Sequence, residues 1–202
     1  EVQTIVNDLN KKVAGRRITG VWFDWPKTIG IVFADKRGLI RGSMRKSKQF
    51  QRLVEKIIKG KEILDVWRRA KNILIYLSDF KKIPRGSALS RRESASHVML
   101  IHLKMTGHLL VGKWQIVKRK VVPLEPKEAV NDPYNQYIHL IFYLDNGKML
   151  AFSDLRKFGK AVFGTKEQIE NLPELKNLGP EPLDKSFRFI KFFKSGTVSL
   201  YF

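Results

Sequence analysis

Three observations in this 202-residue sequence predict an α+β fold that is mainly β, a sheet sandwich or barrel edged by helices. Only a few segments carry apolar residues at helical spacing. Most of the remainder breaks into short apolar or aromatic runs between turn-forming Gly, Pro and Asn residues. The order is helix, strands, helix, then many strands. With 43% hydrophobic and 11% aromatic residues, the chain can build an ordinary core.

Taken in order, Val2, Ile5, Val6, Leu9 and Val13 share one helical face, and Gly15 is placed to end that helix. Arg17 to Trp25 and Ile29 to Asp35 read as strands around a turn containing Pro26. Ser47 is placed to cap a second helix with the stripe Phe50, Leu53, Val54, Ile57 and Ile58, stopped by Gly60. Ile63 to Leu77 is strand-like but interrupted by Arg68-Arg69-Ala70-Lys71. Phe80 to Ser96 reads as a polar, basic loop. Val98 to Leu103 and Leu109 to Trp114 are strands flanking Lys104-Met105-Thr106-Gly107, and Lys118 to Pro133 is a connection rich in charge and proline. Tyr137 to Leu144 and Met149 to Phe152 form a hairpin about Asp145-Asn146-Gly147-Lys148. Thr165 and Gln168 make a capping box for a short helix ending at Pro173. Beyond Pro180, Phe187, Phe189, Ile190, Phe192 and Phe193 crowd a basic segment, which suits the opening of a second domain or a docked terminal helix.

Charge narrows the function. Lys and Arg total 39 against 19 Asp and Glu, a formal net charge of +20. A surplus that large on a foldable chain points to a polyanion, with nucleic acid ahead of an anionic membrane surface. No apolar run approaches the roughly 18 to 20 residues that span a bilayer, and the opening Glu1-Val2-Gln3-Thr4 does not read as a signal peptide. Cysteine is absent, which excludes disulfides and cysteine-ligated zinc, and four scattered His give no metal spacing. The expectation is a soluble, intracellular protein without a metal of its own in these residues.

The segment Asp154-Leu155-Arg156-Lys157-Phe158-Gly159 follows the clearest hairpin. Two cations and a phenyl ring stand where strand gives way to loop, a tip suited to a charged polymer whose bases an apolar wedge can part. The same residues also suit a solvated basic turn with Phe158 packed into the core. Four further segments accompany it: Glu1-Val2-Gln3-Thr4-Ile5, Arg68-Arg69-Ala70-Lys71, His102-Leu103-Lys104-Met105-Thr106-Gly107 and Leu178-Gly179-Pro180-Glu181-Pro182-Leu183. In this order and spacing the five resemble the formamidopyrimidine-DNA glycosylase family, bacterial base-excision repair enzymes of the Fpg/Nei type. The resemblance covers essentially the whole chain and matches that family's N-terminal domain.

The resemblance implies a two-layer β-sandwich with flanking helices over residues 1–183, and at 184–202 the start of a truncated helix-two-turn-helix domain. It implies double-stranded DNA with a damaged base as partner, a monomer, and a bacterial, nucleoid-associated cytoplasmic setting. Family members extrude an oxidised purine, 8-oxoguanine or a formamidopyrimidine, at the cost of a few kcal/mol of stacking and pairing. By resemblance Met105 fills the vacated space, Phe158 wedges the stack and Arg156 addresses the orphaned cytosine, a task suited to a planar multi-donor guanidinium. Lys71, His102 and Lys157 match phosphate-gripping positions, Lys157 replacing the usual Arg and so losing bidentate geometry. Lys104 stands where the family has Gly, which puts the close approach of backbone to DNA there in doubt. Taken singly, Met105 also suits a core gap-filler, His102 a satisfied strand histidine, and Lys71 a snorkelling cation.

Chemistry is where the residues depart from the family. Its nucleophile is an N-terminal proline, whose terminal amine is partly neutral near physiological pH, and the next glutamate serves as acid and base. In the family pattern Pro-Glu-Leu-Pro-Glu-Val, Glu1 and Val2 align with the last two residues. The catalytic residues are therefore unassigned, with Lys71 a weak substitute amine. The family zinc finger falls beyond this sequence, so no cofactor is expected within it. The reading is thus the N-terminal part of a bifunctional glycosylase/AP lyase for oxidised purines, inactive in proline chemistry as it stands. The alternatives are a non-catalytic module for damaged or bent DNA, a Nei-like enzyme for oxidised pyrimidines, or a generic RNA-binding β-domain. The Met105, Arg156 and Phe158 set disfavours the Nei-like branch.

Overall fold

A computed structural model describes residues 2–35, 38–42, 48–79, 88–118, 120–125, 131–179 and 181. The first helix, α1 (Val2–Val13), follows the expected stripe and buries Val6, Leu9 and Val13. Gly15 takes a left-handed φ of 76° just beyond it, the conformation glycine adopts at no steric cost. Strand β1 (Ile18–Phe23), a 3-10 turn at Pro26–Thr28 and β2 (Ile29–Asp35) come next, followed by β3 (Gly38–Gly42) and α2 (Lys48–Ile58). Phe50, Val54 and Ile58 are the buried stripe of α2, while the Ser47 cap lies outside the described residues.

The strand-like stretch around the basic cluster is two strands, β4 (Lys61–Arg69) and β5 (Asn72–Asp79), joined through Ala70 and Lys71. Part of the expected polar loop forms a short helix, α3 (Ala88–Glu93), and residues 80–87 lie outside the description. Then come β6 (His97–His102) and β7 (Gly107–Val117), and the charged connection contributes a strand, β8 (Lys120–Glu125). The hairpin β9 (Ile138–Leu144) and β10 (Met149–Asp154) is as expected. Strand β11 (Lys160–Thr165), missed in the sequence, leads into α4 (Lys166–Glu170). The Thr165–Gln168 capping box closes reciprocally, as expected. Pro173 does not end that helix but starts another, α5 (Pro173–Lys176), since its missing N–H costs nothing at a first helical position. The expected second domain at 184–202, with its phenylalanine cluster, lies outside the described residues.

Two sheets form, in the orders β1-β9-β10-β7-β8 and β3-β2-β11-β6-β5-β4. The mainly β, α+β class expected from the sequence holds. Between the sheets lies one core, filled by inward residues such as Phe142 and Phe152 from the first sheet and Ile73, Ile75 and Phe163 from the second, with α1 and α2 closing it. Strand β5 explains its unbroken apolar run. Ile73, Ile75 and Leu77 face this core, while Leu74 and Tyr76 face a second cluster with Ile169, Leu172 and Leu175 of the α4–α5 region. Burial holds the Tyr76 hydroxyl up at about 12. Among the described residues no helix is long and apolar enough to cross a membrane.

Register brings the connections together at one end. His102 closes β6 opposite Asn72 of β5 on one side and Lys160 of β11 on the other. The β4–β5 turn, the β6–β7 connection and the β10–β11 loop are therefore neighbours.

Candidate nucleic-acid interface

A cleft of about 460 Å³ opens at this end, between the start of α1, the β4–β5 turn and the β6–β7 connection. Gln3, Arg68, Lys71, His102, Lys104 and Met105 contribute to its walls, so three of the expected site residues share one cavity. Helix α1 is fixed there by Asn10, whose Nδ2 donates to Val66 O at 2.6 Å while its Oδ1 accepts from Val66 N at 2.9 Å. The turn is fixed by Arg68, which donates to Gln3 Oε1 (3.1 Å), to Ala70 O (3.0 Å) and to the Glu181 carboxylate. Glu181 also accepts from Ala70 N at 3.1 Å, and Arg69 donates to Leu178 O and Gly179 O. The arginines of the basic cluster therefore hold backbone in place, which leaves Lys71, exposed at the tip, as its outward cation.

His102 accepts the Lys104 N–H on Nδ1 at 3.0 Å, which places the ring proton on Nε2. Burial, and then the Lys104 and Lys71 ammonium groups, push its pKa below the usual histidine value, with Glu174 opposing. The ring thus presents a neutral N–H donor to the cleft. Lys104 itself has φ 57°, in the left-handed region that glycine adopts freely. A glycine preference at this position follows from the backbone alone, without an approach to DNA.

Met105 is no core gap-filler: it is 77% exposed on the tip of the β6–β7 connection. Phe158 is 53% exposed rather than packed into the interior. Arg156 joins them, with Nη1 donating to Met105 Sδ at 3.2 Å and its guanidinium carbon 4.8 Å from the centre of the Phe158 ring. A sulfur, a guanidinium and a phenyl ring form one raised ridge on the cleft's rim. Among the described residues no carboxylate pairs with the exposed Arg156.

Asp154 makes the ridge possible, a role the sequence did not disclose. It is 2% exposed, and its carboxylate accepts from Thr106 Oγ1, from Arg156 N at 3.2 Å and from Gly159 N at 2.6 Å. One buried acceptor group thereby ties the Met105 loop to the Phe158 loop. A side chain in place of glycine would force a shift nearby on steric grounds. A Cβ at Gly159 would lie 2.4 Å from Phe152 Cζ, and one at Gly107 would lie 2.4 Å from Leu103 O.

A family model, the formamidopyrimidine-DNA glycosylase N-terminal domain, matches residues 1–161. The chain belongs to that family. The formamidopyrimidine-DNA glycosylase of Desulforamulus reducens is 30% identical over 187 residues, 93% of this chain and 50% of the relative. That of Heliobacterium modesticaldum is 28% identical over 192 residues, 95% of this chain and 53% of the relative. This member of the formamidopyrimidine-DNA glycosylase family therefore spans about half the length of the curated relatives it matches. Among solved structures, the Lactococcus lactis Fpg bound to DNA containing an abasic site superposes with a TM-score of 0.57 at 21% identity, over 90% of this chain and 48% of that one. MutM in complex with DNA containing carbocyclic 8-oxo-G gives the same TM-score and identity, over 90% and 50%. At that identity the likeness establishes the fold, the N-terminal sandwich of the glycosylase family.

Of the expected site residues, Lys71, His102 and Met105 meet in the cleft, and Arg156 and Phe158 meet Met105 at its rim. Lys157 has its Nζ 4.8 Å from the centre of the Trp25 ring. Gln3, Arg68, Thr106 and Asp154 were given no individual role in the sequence. Their partners are remote in the chain, 65 residues apart for Arg68 with Gln3 and 48 for Thr106 with Asp154, so no local pattern announces them. No grouping of three or more metal-ligating side chains occurs among the described residues.

Proposed function

We propose that this chain is the lesion-handling half of a base-excision repair glycosylase and AP lyase for oxidised purines, acting as a monomer on double-stranded DNA in a bacterial cytoplasm. The convergence of Met105, Arg156 and Phe158 on the rim of a basic cleft carries the reading. A flipped base leaves a gap and an unpaired partner, and the ridge offers one group for each need. Met105 is a flexible, exposed apolar filler for the gap. Phe158 is a flat wedge that can part a base step. Arg156 has unpaired donors for the edge of the estranged base. Lys71 supplies a cation, and His102 a neutral N–H, for phosphates beside the extruded nucleotide. The family's whole enzymes carry the Pro-Glu nucleophile and base at a start five residues ahead of Val2, and Val2 and Gln3 line this cleft.

The test is duplex binding by residues 1–202, followed by fluorescence anisotropy with an 8-oxoguanine, an abasic and an undamaged duplex across salt. We expect a lesion preference that Met105→Ala, Arg156→Ala and Phe158→Ala each reduce, and no borohydride-trapped adduct. Each side-chain loss should weaken lesion binding by about 1–3 kcal/mol. A steep salt dependence without lesion preference would leave only charge-driven binding. A trapped covalent adduct would show that the family's proline is dispensable here and overturn the chemical part of the reading.

A further inference from the structure

The chain has four methionines and no cysteine, so thioethers are its only sulfur. Met99 is 1% exposed in the core, and Met149 is part-buried against the outer cluster of the first sheet. Met44 lies outside the described residues. Met105 is 77% exposed. Oxidation of methionine to its sulfoxide follows exposure, and it turns a flexible apolar side chain into a polar one.

The surroundings of Met105 give that change a consequence. Arg156 Nη1 donates to Sδ at 3.2 Å, so a guanidinium already stands beside the sulfur. A thioether is a weak acceptor. A sulfoxide oxygen carries partial negative charge and accepts far more strongly from a cationic donor. The same guanidinium lies 4.8 Å from the centre of the Phe158 ring, so a tighter bond between Arg156 and Met105 is made in the middle of the ridge.

The step balances with a hydroperoxide as oxidant. A sulfur lone pair attacks the terminal peroxide oxygen, the O–O bond breaks, and the hydroxyl proton passes to the departing oxygen. That oxygen leaves as water or an alcohol. Sulfur gives up two electrons and keeps one oxygen, and the peroxide is reduced by the same two electrons.

We propose that Met105 is a reversible oxidation site for hydroperoxides, and that Arg156 holds the resulting sulfoxide so that both side chains are withdrawn from lesion binding. The proposal rests on the DNA-repair reading of the ridge. Filling the gap then asks a polar group to enter a base stack. The Arg156 donors are meanwhile answered within the protein instead of by the estranged base.

The experiment treats residues 1–202 with dilute hydrogen peroxide, maps the peptides by mass spectrometry, and titrates abasic-site and undamaged duplexes by anisotropy. Met105 should oxidise at least about tenfold faster than Met99. Its oxidation should weaken abasic-duplex binding about fivefold or more. Undamaged-duplex binding should change by less than about twofold, since the charge is unaltered. The two methionine sulfoxide reductases, one for each epimer, should restore the affinity. Met105→Leu, compared only with itself, should bind equally before and after peroxide. A loss in that variant places the damage elsewhere and overturns the proposal. Arg156→Ala should lose less than about twofold on oxidation, and a loss as large as the parent's overturns the part assigned to Arg156. The abasic duplex should slow oxidation of Met105, because the stack then covers the sulfur. Unchanged affinity after oxidation overturns the proposal, and joined to an absence of duplex protection it takes the DNA-repair reading of the ridge with it. If Met105→Ala weakens lesion binding while peroxide spares Met105, the oxidation site alone is removed.

Discussion

Replacing Asp154 by Ala removes the acceptor that serves Thr106 Oγ1, Arg156 N and Gly159 N in a site only 2% exposed. The three donors are not equal. Thr106 can rotate its hydroxyl and the exposed Arg156 can turn to water, but the Gly159 N–H is buried at a 2.6 Å contact and is left without a partner. An orphaned buried donor costs about 1–3 kcal/mol, and a lost bond to a charged group a further kcal/mol or so, for a total of about 2–4 kcal/mol. For a chain of this size that is a drop in Tm of about 5–15 °C. Asp154→Asn keeps one carbonyl acceptor but must turn its NH2 toward a donor, and about half that loss is expected. Differential scanning calorimetry reads the stability, and anisotropy with lesion and undamaged duplexes reads the ridge. The physical expectation is that lesion preference falls in Asp154→Ala even at temperatures where the protein stays folded, because the two loops lose their common fastener. A variant that melts within about 2 °C of the parent and still prefers the lesion would refute it.

Other consequences follow from single contacts. Gly159→Ala must push Phe152 out of the core or break the Asp154 bond, so urea denaturation should show a loss of about 1–3 kcal/mol. Lys104→Gly relieves a left-handed φ of 57° and should raise stability by up to about 1 kcal/mol, read as a higher urea midpoint at unchanged slope. Asn10→Ala leaves both Val66 backbone groups unpaired, and hydrogen exchange at Val66 should quicken as about 1–3 kcal/mol is lost. His97 and His102 both titrate below their ordinary value of 6.5, burial being the first cause in each. The unfolded chain therefore takes up protons before the folded one, so stability declines as pH falls below 6.5 through the depressed folded values and is flat above. A His97→Gln, His102→Gln protein should lose that slope, and an unchanged urea midpoint series between about pH 7 and 5 would contradict this origin.

Local signals served well where the structure is local. Helix α1, the α2 stripe, the β9–β10 hairpin and the Thr165 capping box depend on residues a few positions apart, and each lies where its pattern placed it. Strand β8 escaped notice because Pro123 and its neighbouring charges argue against a strand. They are tolerated because β8 is an edge strand, paired only through β7. Pro173 read as a stop because proline punctuates helices at both ends, and only packing decides which. In the candidate interface the exposed residues were legible by resemblance, since Met105, Arg156 and Phe158 occur in short motifs. What holds them was not. The Asp154–Thr106 and Arg68–Glu181 bonds join residues far apart in the chain, and an aspartate before a loop looks the same in sequence whether it is solvated or buried.

Three of the four non-glycine residues with positive φ among the described residues, Ala70, Lys104 and Lys157, stand on the three loops that surround the cleft. Backbone of that kind is retained only where its surroundings over-determine it. A laboratory selection for heat resistance would be drawn to these positions first, since glycine or asparagine there is an easy gain. The variants it enriched would be sturdier proteins with slacker loops, so thermal tolerance and lesion discrimination should trade against each other at the same three residues.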